Sequence, residues 1–236
     1  MSHLQGREKD QYVQQMFGRI ARRYNLMNRL MTAGQDQRWR RFVIGKAAVP
    51  RQGVVLDLAT GTGDIGFEIV KDEPTAQVVG ADFAVPMMQV GQSMPLGQHV
   101  AWCAADAMNL PFPAGSFDVV VAGYLVRNVS DLPRTLAEQV RVLKPGGRVV
   151  ILDTTPPPKN ILRPAIIAYL KYGIPLLGRV ISGKQAADAY RYLPESTQAF
   201  RTPDELADLM RKAGVQQVEY KTFMFGTMAV HWGVKR

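Results

Sequence analysis

Apolar positions change their rhythm along the chain. In KDQYVQQMFGRIARRYNLMNRLM, residues 9–31, Tyr12, Met16, Ile20, Tyr24, Met27, Leu30 and Met31 recur at spacings of three and four. That spacing predicts an amphipathic helix or helix pair. From Gly53 the rhythm shifts. Short apolar runs (VVLDLA, QVVGADF, VAWCAADA, FDVVVAGY, GRVVILDT) alternate with the helical patterns IGFEIVKD, PMMQVGQSM and LPRTLAEQVRVL. Strands that alternate with helices predict a parallel sheet covered on both faces. Pro145–Gly147 is expected to stop a helix before the fifth strand. A Pro-rich, basic stretch at 156–200 interrupts the pattern. TPDELADLMRKAG then offers Thr202 as N-cap, Pro203 at the first helical position, acids in the first turn and Gly214 at the end. VQQVEYKTFMFG and TMAVHWGVK predict a closing strand pair.

At 236 residues this is one α/β domain with a sizeable core. Charge divides it further. The net +9 is split as +7 over residues 1–50, −4 over 51–158 and +6 over 159–236. Basic flanks favour a solvated surface, anionic lipid or nucleic acid. The absence of RNP-type aromatic motifs and zinc-finger spacing argues against nucleic acid. ILRPAIIAYLKYGIPLLGRVI (Ile161–Ile181) contains Arg163, Lys171, Arg179 and two prolines, too much charge to span a bilayer, although it can lie on one. The single cysteine, Cys103, rules out an internal disulfide and fits a reducing compartment. It is expected to be a buried small residue. MSHLQGREKDQ carries no secretory h-region. His3, His99 and His231 have no ligand spacing, so no metal is expected.

VVLDLATGTGDIG (Val54–Gly66) holds a G-x-G-x-x-G of Gly61, Gly63 and Gly66, bracketed by Asp57 and Asp64. Such a loop after a strand usually cradles a pyrophosphate. An anion about 5 Å from each carboxylate would cost on the order of 3 kcal/mol per acid at an effective dielectric near 20. A cationic ligand reverses that sign. S-adenosylmethionine, with its sulfonium and ammonium, is such a ligand, and Asp82, about 20 residues past the loop, suits its ribose hydroxyls. The strand ends expected to meet a ligand are Asp57–Gly63, Asp82, Asp106–Ala107, Gly123–Asn128 and Asp153.

The D-x-A-x-G-x-G-D frame, with Asp82 and Asp106, resembles the first motifs of class I S-adenosylmethionine-dependent methyltransferases. That resemblance implies a Rossmann-like, doubly wound sheet, mainly parallel with an antiparallel C-terminal strand. It also implies cofactor contacts from Asp57, Ala59, Gly61, Thr62, Gly63, Asp82, Phe83, Asp106, Ala107 and Gly123. YNLMNRLMTAGQDQRWRR (Tyr24–Arg41), YLVRNVSDL (Tyr124–Leu132), RVLKPGGRVVILDTT (Arg141–Thr155) and AYRYLPES (Ala189–Ser196) are more specific. They resemble the ubiquinone/menaquinone C-methyltransferase family (the UbiE/MenG group) from about residue 10 to the C-terminal AVHWGVK. Thr32 and Asp36 stand where that family usually has Ser and His, Tyr124-Leu125-Val126 where it has Phe-Gly-Leu, and Asp153 where it has Glu. These departures are expected to cluster around the substrate.

The resemblance implies a helical cap at 1–50, a cofactor-binding core at 51–155, a substrate- and membrane-facing cap at 156–200 and a closing helix and strand pair at 201–236. It implies a prenylated quinol as substrate, either a naphthoquinol or a benzoquinol. Substrate contacts are expected from Tyr24, Met27, Asn28, Trp39, Tyr124, Tyr190 and Tyr192. Arg127 stays protonated, so it can stabilise phenolate charge or orient a water, while Asn128 can orient a ring hydroxyl. Asp153, or a water it holds, is the candidate base. An ion pair of Arg127 with an acid such as Asp131 is the competing reading. A tailed substrate further implies peripheral contact with anionic membrane from the cytoplasmic side, and a homodimer is a further expectation. Other readings remain open: a methyltransferase of another hydrophobic or phenolic acceptor, an RNA methyltransferase, and a cofactor-binding partner without turnover.

Overall fold

The computed structural model describes residues 6–177, 196–197 and 200–236. The amphipathic start forms α1 (Gly6–Ile20), a 3-10 turn (Ala21–Arg23) and α2 (Tyr24–Met31), followed by α3 (Asp36–Ala47). Then come β1 (Val54–Leu58), α4 (Asp64–Asp72), β2 (Gln77–Asp82), α5 (Val85–Gln92), β3 (Val100–Ala104) and β4 (Phe117–Gly123). They are followed by α6 (Leu132–Val142), β5 (Leu143–Thr154) and α7 (Arg163–Ala168), which runs into a π turn at Tyr169–Gly173. The chain closes with α8 (Pro203–Lys212), β6 (Val215–Phe223) and β7 (Met228–Lys235).

The strand order is β3-β2-β1-β4-β5-β7-β6, with β7 antiparallel to both its neighbours and the other pairings parallel. The seven apolar runs are the seven strands. The order reverses between β1 and β4, which opens a crevice at their carboxyl ends. One face of the sheet packs Leu56, Val120 and Ile151 against α6 and α8 through Leu136, Leu206 and Met210. The other packs Val55, Val121 and Val150 against α3 and α4 through Trp39, Val43 and Ile69. α8 begins with a capping box between Thr202 and Glu205.

Two expectations need correction. Pro145–Gly147 does not separate helix from strand: α6 ends at Val142 and β5 already runs from Leu143 through the glycines. Gly146 takes φ +75°, and the register against β4 shifts between Phe117 and Val119, so the dipeptide marks a bulge within the strand. Cys103 is only half-buried, because β3 is an edge strand of the sheet.

α2 and the 163–177 segment share a small core in which Met27 meets Leu170 and Ile174, and Tyr169 Oη donates to Met31 O at 2.7 Å. The part of the basic cap up to residue 177 thereby rests on the N-terminal helices.

Candidate active site

The loop from β1 to α4 is shaped by its acids as much as by its glycines. Asp57 Oδ2 accepts from Thr60 Oγ1 at 2.7 Å and from Gly66 N at 2.9 Å. A Cβ at Gly66 would lie 3.2 Å from that oxygen, so the third glycine keeps room for this tie. Gly63 takes φ +86°, and a Cβ there would come within 2.7 Å of Trp102 and 2.8 Å of Phe67. Gly61 N donates to Asp82 Oδ2 at 2.8 Å, while Ala84 N donates to Asp82 Oδ1 at 2.7 Å. The three glycines therefore act differently. Gly61 brings backbone to the ligand side, Gly63 admits the aromatic pair beneath, and Gly66 admits Asp57.

Asp64 faces the N-terminal helices instead of the crevice. Its Oδ2 lies 3.2 Å from Arg40 Nη2, and its Oδ1 accepts from Asn25 Nδ2 at 3.1 Å. Thr62 Oγ1 donates to Asn25 Oδ1 at 3.0 Å. Arg40 also reaches Asp36 Oδ2 at 3.3 Å, and Thr32 Oγ1 donates to Asp36 Oδ1 at 3.2 Å. Thr32 and Asp36 thus belong to a latch between α2, α3 and the glycine loop, not to the crevice wall as expected.

The cavity lies over the carboxyl ends of β1, β2 and β4. Of the residues anticipated from sequence, it is lined by Ala59, Gly61, Asp82, Phe83, Asp106, Ala107, Gly123, Tyr24, Tyr124 and Asn128. Asp57, Thr62, Gly63, Met27, Asn28, Trp39, Arg127 and Asp153 do not border it. Trp39 is instead core packing under β5 and β7, 6.5 Å from the Phe223 ring. Tyr190 and Tyr192 lie outside the described residues.

The sequence did not single out Val13 and Phe17 of α1, Met87 or Met108, which also line the cavity, while Leu125, within the expected stretch Gly123–Asn128, lines it too. Val13 and Phe17 are four apart beside the apolar stripe, so the stripe was wider than the residues picked from it. α1 is fastened across the cavity: Gln14 Nε2 donates to Phe83 O at 2.6 Å and Lys9 Nζ to Val129 O at 2.8 Å.

The two acids that bracket the glycines are not the ones that face the cavity. Burial pushes the Asp57 carboxyl up to about 7, and Asp57 points away from the cavity. Burial raises Asp64 too, but Arg40 beside it supplies a compensating charge. The carboxylates that do face the cavity are Asp82 and Asp106. Burial raises Asp82 as well, opposed by the backbone donors of Ala84 and Gly61.

At the other end, Tyr124 holds φ +59° directly after β4, a conformation costly for a bulky residue and found at ligand clamps. Asn128 Nδ2 donates to Tyr124 O at 2.7 Å and fixes this turn. The Arg127 guanidinium lies 5.2 Å from the Tyr124 ring centroid. Its Nη1 donates to Asp153 Oδ1, and its backbone N donates to Asp153 Oδ2 at 3.3 Å. Thr154 N donates to the same carboxylate at 2.7 Å. Arg127 therefore pairs with Asp153 on the neighbouring strand, while Asp131 caps α6 by accepting from Arg134 N at 3.0 Å. Asp153 is engaged by three donors and buried at 2% exposure, which leaves it no open path to a substrate in the cavity. Burial pushes the Tyr24 and Tyr124 hydroxyls up, with Tyr24 also raising Tyr124, so both rings stay protonated donors.

The sheet order and the site together define a class I S-adenosylmethionine-dependent methyltransferase. The fold is similar to that of a SAM dependent methyltransferase from Aquifex aeolicus, 15% identical, TM-score 0.60, covering 84% of this chain and 89% of that one. It is also similar to Haemonchus contortus phosphoethanolamine N-methyltransferase 2 in complex with S-adenosyl-L-methionine, 14% identical, TM-score 0.62, covering 84% and 52%. The chain belongs to the ubiE/COQ5 methyltransferase family, whose sequence model matches residues 5–235. It is 54% identical to the ubiquinone/menaquinone biosynthesis C-methyltransferase UbiE of Desulfotalea psychrophila, over 94% of this chain and 90% of that protein. It is 44% identical to the demethylmenaquinone methyltransferase of Thermus thermophilus, over 92% and 99%. A third relative, the mitochondrial 2-methoxy-6-polyprenyl-1,4-benzoquinol methylase of Caenorhabditis elegans, is 34% identical over 97% and 81%.

The cavity fits the cofactor of this class. Gly61 lacks a Cβ that would reach within 3.3 Å of Met87, and a carboxylate stands at each of two strand ends where hydroxyl and amine donors need acceptors.

Proposed function

We propose that this chain methylates a ring carbon of a polyprenylated quinol, converting demethylmenaquinol to menaquinol, with the benzoquinol of ubiquinone biosynthesis as the alternative acceptor. The observation that carries the reading is a single cavity that joins an acid-lined end (Asp82, Asp106) to a phenol- and amide-lined end (Tyr24, Tyr124, Asn128). The chain's family membership supports it.

When bound, S-adenosylmethionine would supply an electrophilic methyl for the ring carbon, with its sulfur leaving as the thioether and the ring proton to be released. The chain's own residues do the rest. Asp82 accepts from the ribose diol, Asp106 and Ala107 meet the adenine, and the backbone of Ala59–Gly61 approaches the amino acid end. Tyr24, Tyr124 and Asn128 donate to the ring oxygens, which stabilises negative charge as it develops on the quinol. Asp153 holds Arg127 beside Tyr124, where its charge favours negative charge developing at that end of the cavity, while the ring proton leaves to water in the cavity. Asp153 thus acts through Arg127. Thr62, Gly63 and Asp57 shape the loop beneath the cofactor.

The tail requires access to a membrane. No helix among the described residues is long and apolar enough to cross one. The basic flanks favour peripheral attachment to anionic lipid, in our reading from the cytoplasmic side.

The test is incubation with methyl-labelled S-adenosylmethionine and a chemically reduced, short-tailed demethylmenaquinone, with a benzoquinol analogue alongside. Label in the naphthoquinol supports the first acceptor, and label in the benzoquinol alone supports the alternative. Cofactor binding with label in neither overturns the quinol assignment.

A further inference from the structure

Three consecutive residues at the tip of the β6–β7 hairpin, Met224, Phe225 and Gly226, hold φ angles of +47°, +55° and +84°. Left-handed backbone is easy for glycine and disfavoured for the two residues with a Cβ. Met224 packs against the core from this turn, whereas Phe225 gains no packing from its strained backbone and is 71% exposed. The tip is nonetheless firmly built. Thr155 Oγ1 donates to Gly226 O at 2.5 Å, Thr155 N to Thr227 O at 2.9 Å, and Thr227 Oγ1 to Met224 O at 2.8 Å.

Those bonds join the tip to the segment leaving β5. A Cβ on Gly226 would lie 3.0 Å from Pro158, and three residues beyond Pro158, Ile161 is 94% exposed. Its turn is also held, by Leu162 N donating to Asn160 Oδ1 at 3.1 Å. Lys159 and Lys221, on the same two segments, are exposed. Both tips sit at the carboxyl end of β5, the end of the sheet at which the cavity opens.

Two held loops each carry a large apolar side chain into solvent; Lys159 stands two residues from Ile161, and Lys221, in the strand leading to the other tip, has its ammonium over the Phe42 and Phe223 rings. A protein partner would need a broad complementary face of about 800 Å² per side, and paired protrusions do not offer one. A bilayer interface accepts isolated apolar side chains at its acyl boundary, while its anionic headgroups attract lysine. We propose that Phe225 and Ile161, with the exposed Lys159 next to Ile161, are the insertion tips by which the protein docks on an anionic lipid bilayer. This rests on the peripheral contact proposed above and assigns it to residues.

The test uses the full chain and vesicles of equal parts phosphatidylcholine and phosphatidylglycerol, comparing wild type, Phe225→Gly, Ile161→Ser and the double variant by co-sedimentation at low and high salt. Glycine adopts the tip's backbone without strain, so the melting temperature of Phe225→Gly should hold or rise. Each single variant should bind vesicles about tenfold more weakly, the loss of one buried apolar side chain. Methyl transfer to a short-tailed quinol in detergent should be unchanged. Wild-type binding by the double variant overturns the proposal, as does a wild type that binds at neither salt. Self-association lost in Phe225→Gly with vesicle binding intact would give the face to a second copy instead, and also overturns it. The two readings fail separately: absence of methyl transfer by wild type in detergent strikes the quinol assignment, not the docking surface.

Discussion

Arg40 Nη2 lies 3.2 Å from Asp64 Oδ2, which ties α3 to the first turn of α4 across the edge of the cofactor loop. The same guanidinium holds Asp36, a carboxylate that is 1% exposed. Arg40→Met leaves both acids without it, and breaking a buried pair on one side costs about 3 kcal/mol. The melting temperature should fall by about 6–12 °C. The latch also seats Asn25 on Thr62, so calorimetry should show weaker S-adenosylmethionine binding. A melting temperature that does not move would mean that the latch carries no load.

The three glycines of the loop should respond differently to alanine. Gly63→Ala places a Cβ at φ +86° and 2.7 Å from Trp102, so it should destabilise the fold by about 3 kcal/mol or more. Gly61→Ala also places a Cβ at positive φ, +57°, at a cost of about 1–2 kcal/mol, but in space it meets only the flexible end of Met87 at 3.3 Å. It should retain most of the stability yet bind the cofactor about tenfold or more weakly, because its Cβ narrows the cavity. Denaturation and calorimetry on the same two proteins separate these effects.

Asp82 accepts from two backbone N–H groups, at Gly61 and Ala84. An amide at this position sets N–H against N–H on one side and leaves a buried donor unmade, at about 1–3 kcal/mol. Asp82→Asn should therefore lose about ten- to a hundredfold in cofactor affinity by titration calorimetry. Unaltered affinity would remove Asp82 from the ribose site.

Asp57 carries a pH signature. Its folded carboxyl is pushed up to about 7 by burial, against an ordinary value of 3.8. Between those values the folded chain keeps a proton that the unfolded chain releases, so this group's contribution to stability falls as pH rises from about 4 to about 7 and is level above. Asp57→Asn can still accept from Thr60 and Gly66 through its amide oxygen, and it removes the titration. The variant should match wild type near pH 4 and exceed it in stability at pH 8. Denaturant curves that run parallel across that range would contradict the shift.

Much of the site was legible in linear order because its parts are local. The glycines, Asp82 and Asp106 follow strand runs directly, and an open parallel sheet presents the ends of its strands to the ligand. Tyr124 and Asn128 were found the same way, at the end of β4. Trp39, Met27 and Asn28 were misplaced because a motif records that residues occur together, not which of them face inward. Asp153 looked like a base when seen at a strand end. Its partner, Arg127, is 26 residues away in the turn that follows the neighbouring strand, and pairing the two changes what either can do.

Strands, helices and the acid-and-glycine loop were legible in linear order, because strand alternation, helical stripes, caps and glycine turns are short-range consequences of backbone geometry and side-chain size. Only the tertiary structure decided which carboxylates keep a free face. Asp57 and Asp64 flank the loop in sequence, but burial takes up one and Arg40 the other, while Asp82 and Asp106 line the cavity. Desolvation and ion pairing depend on what stands across a few ångströms of space, and linear order does not encode that distance.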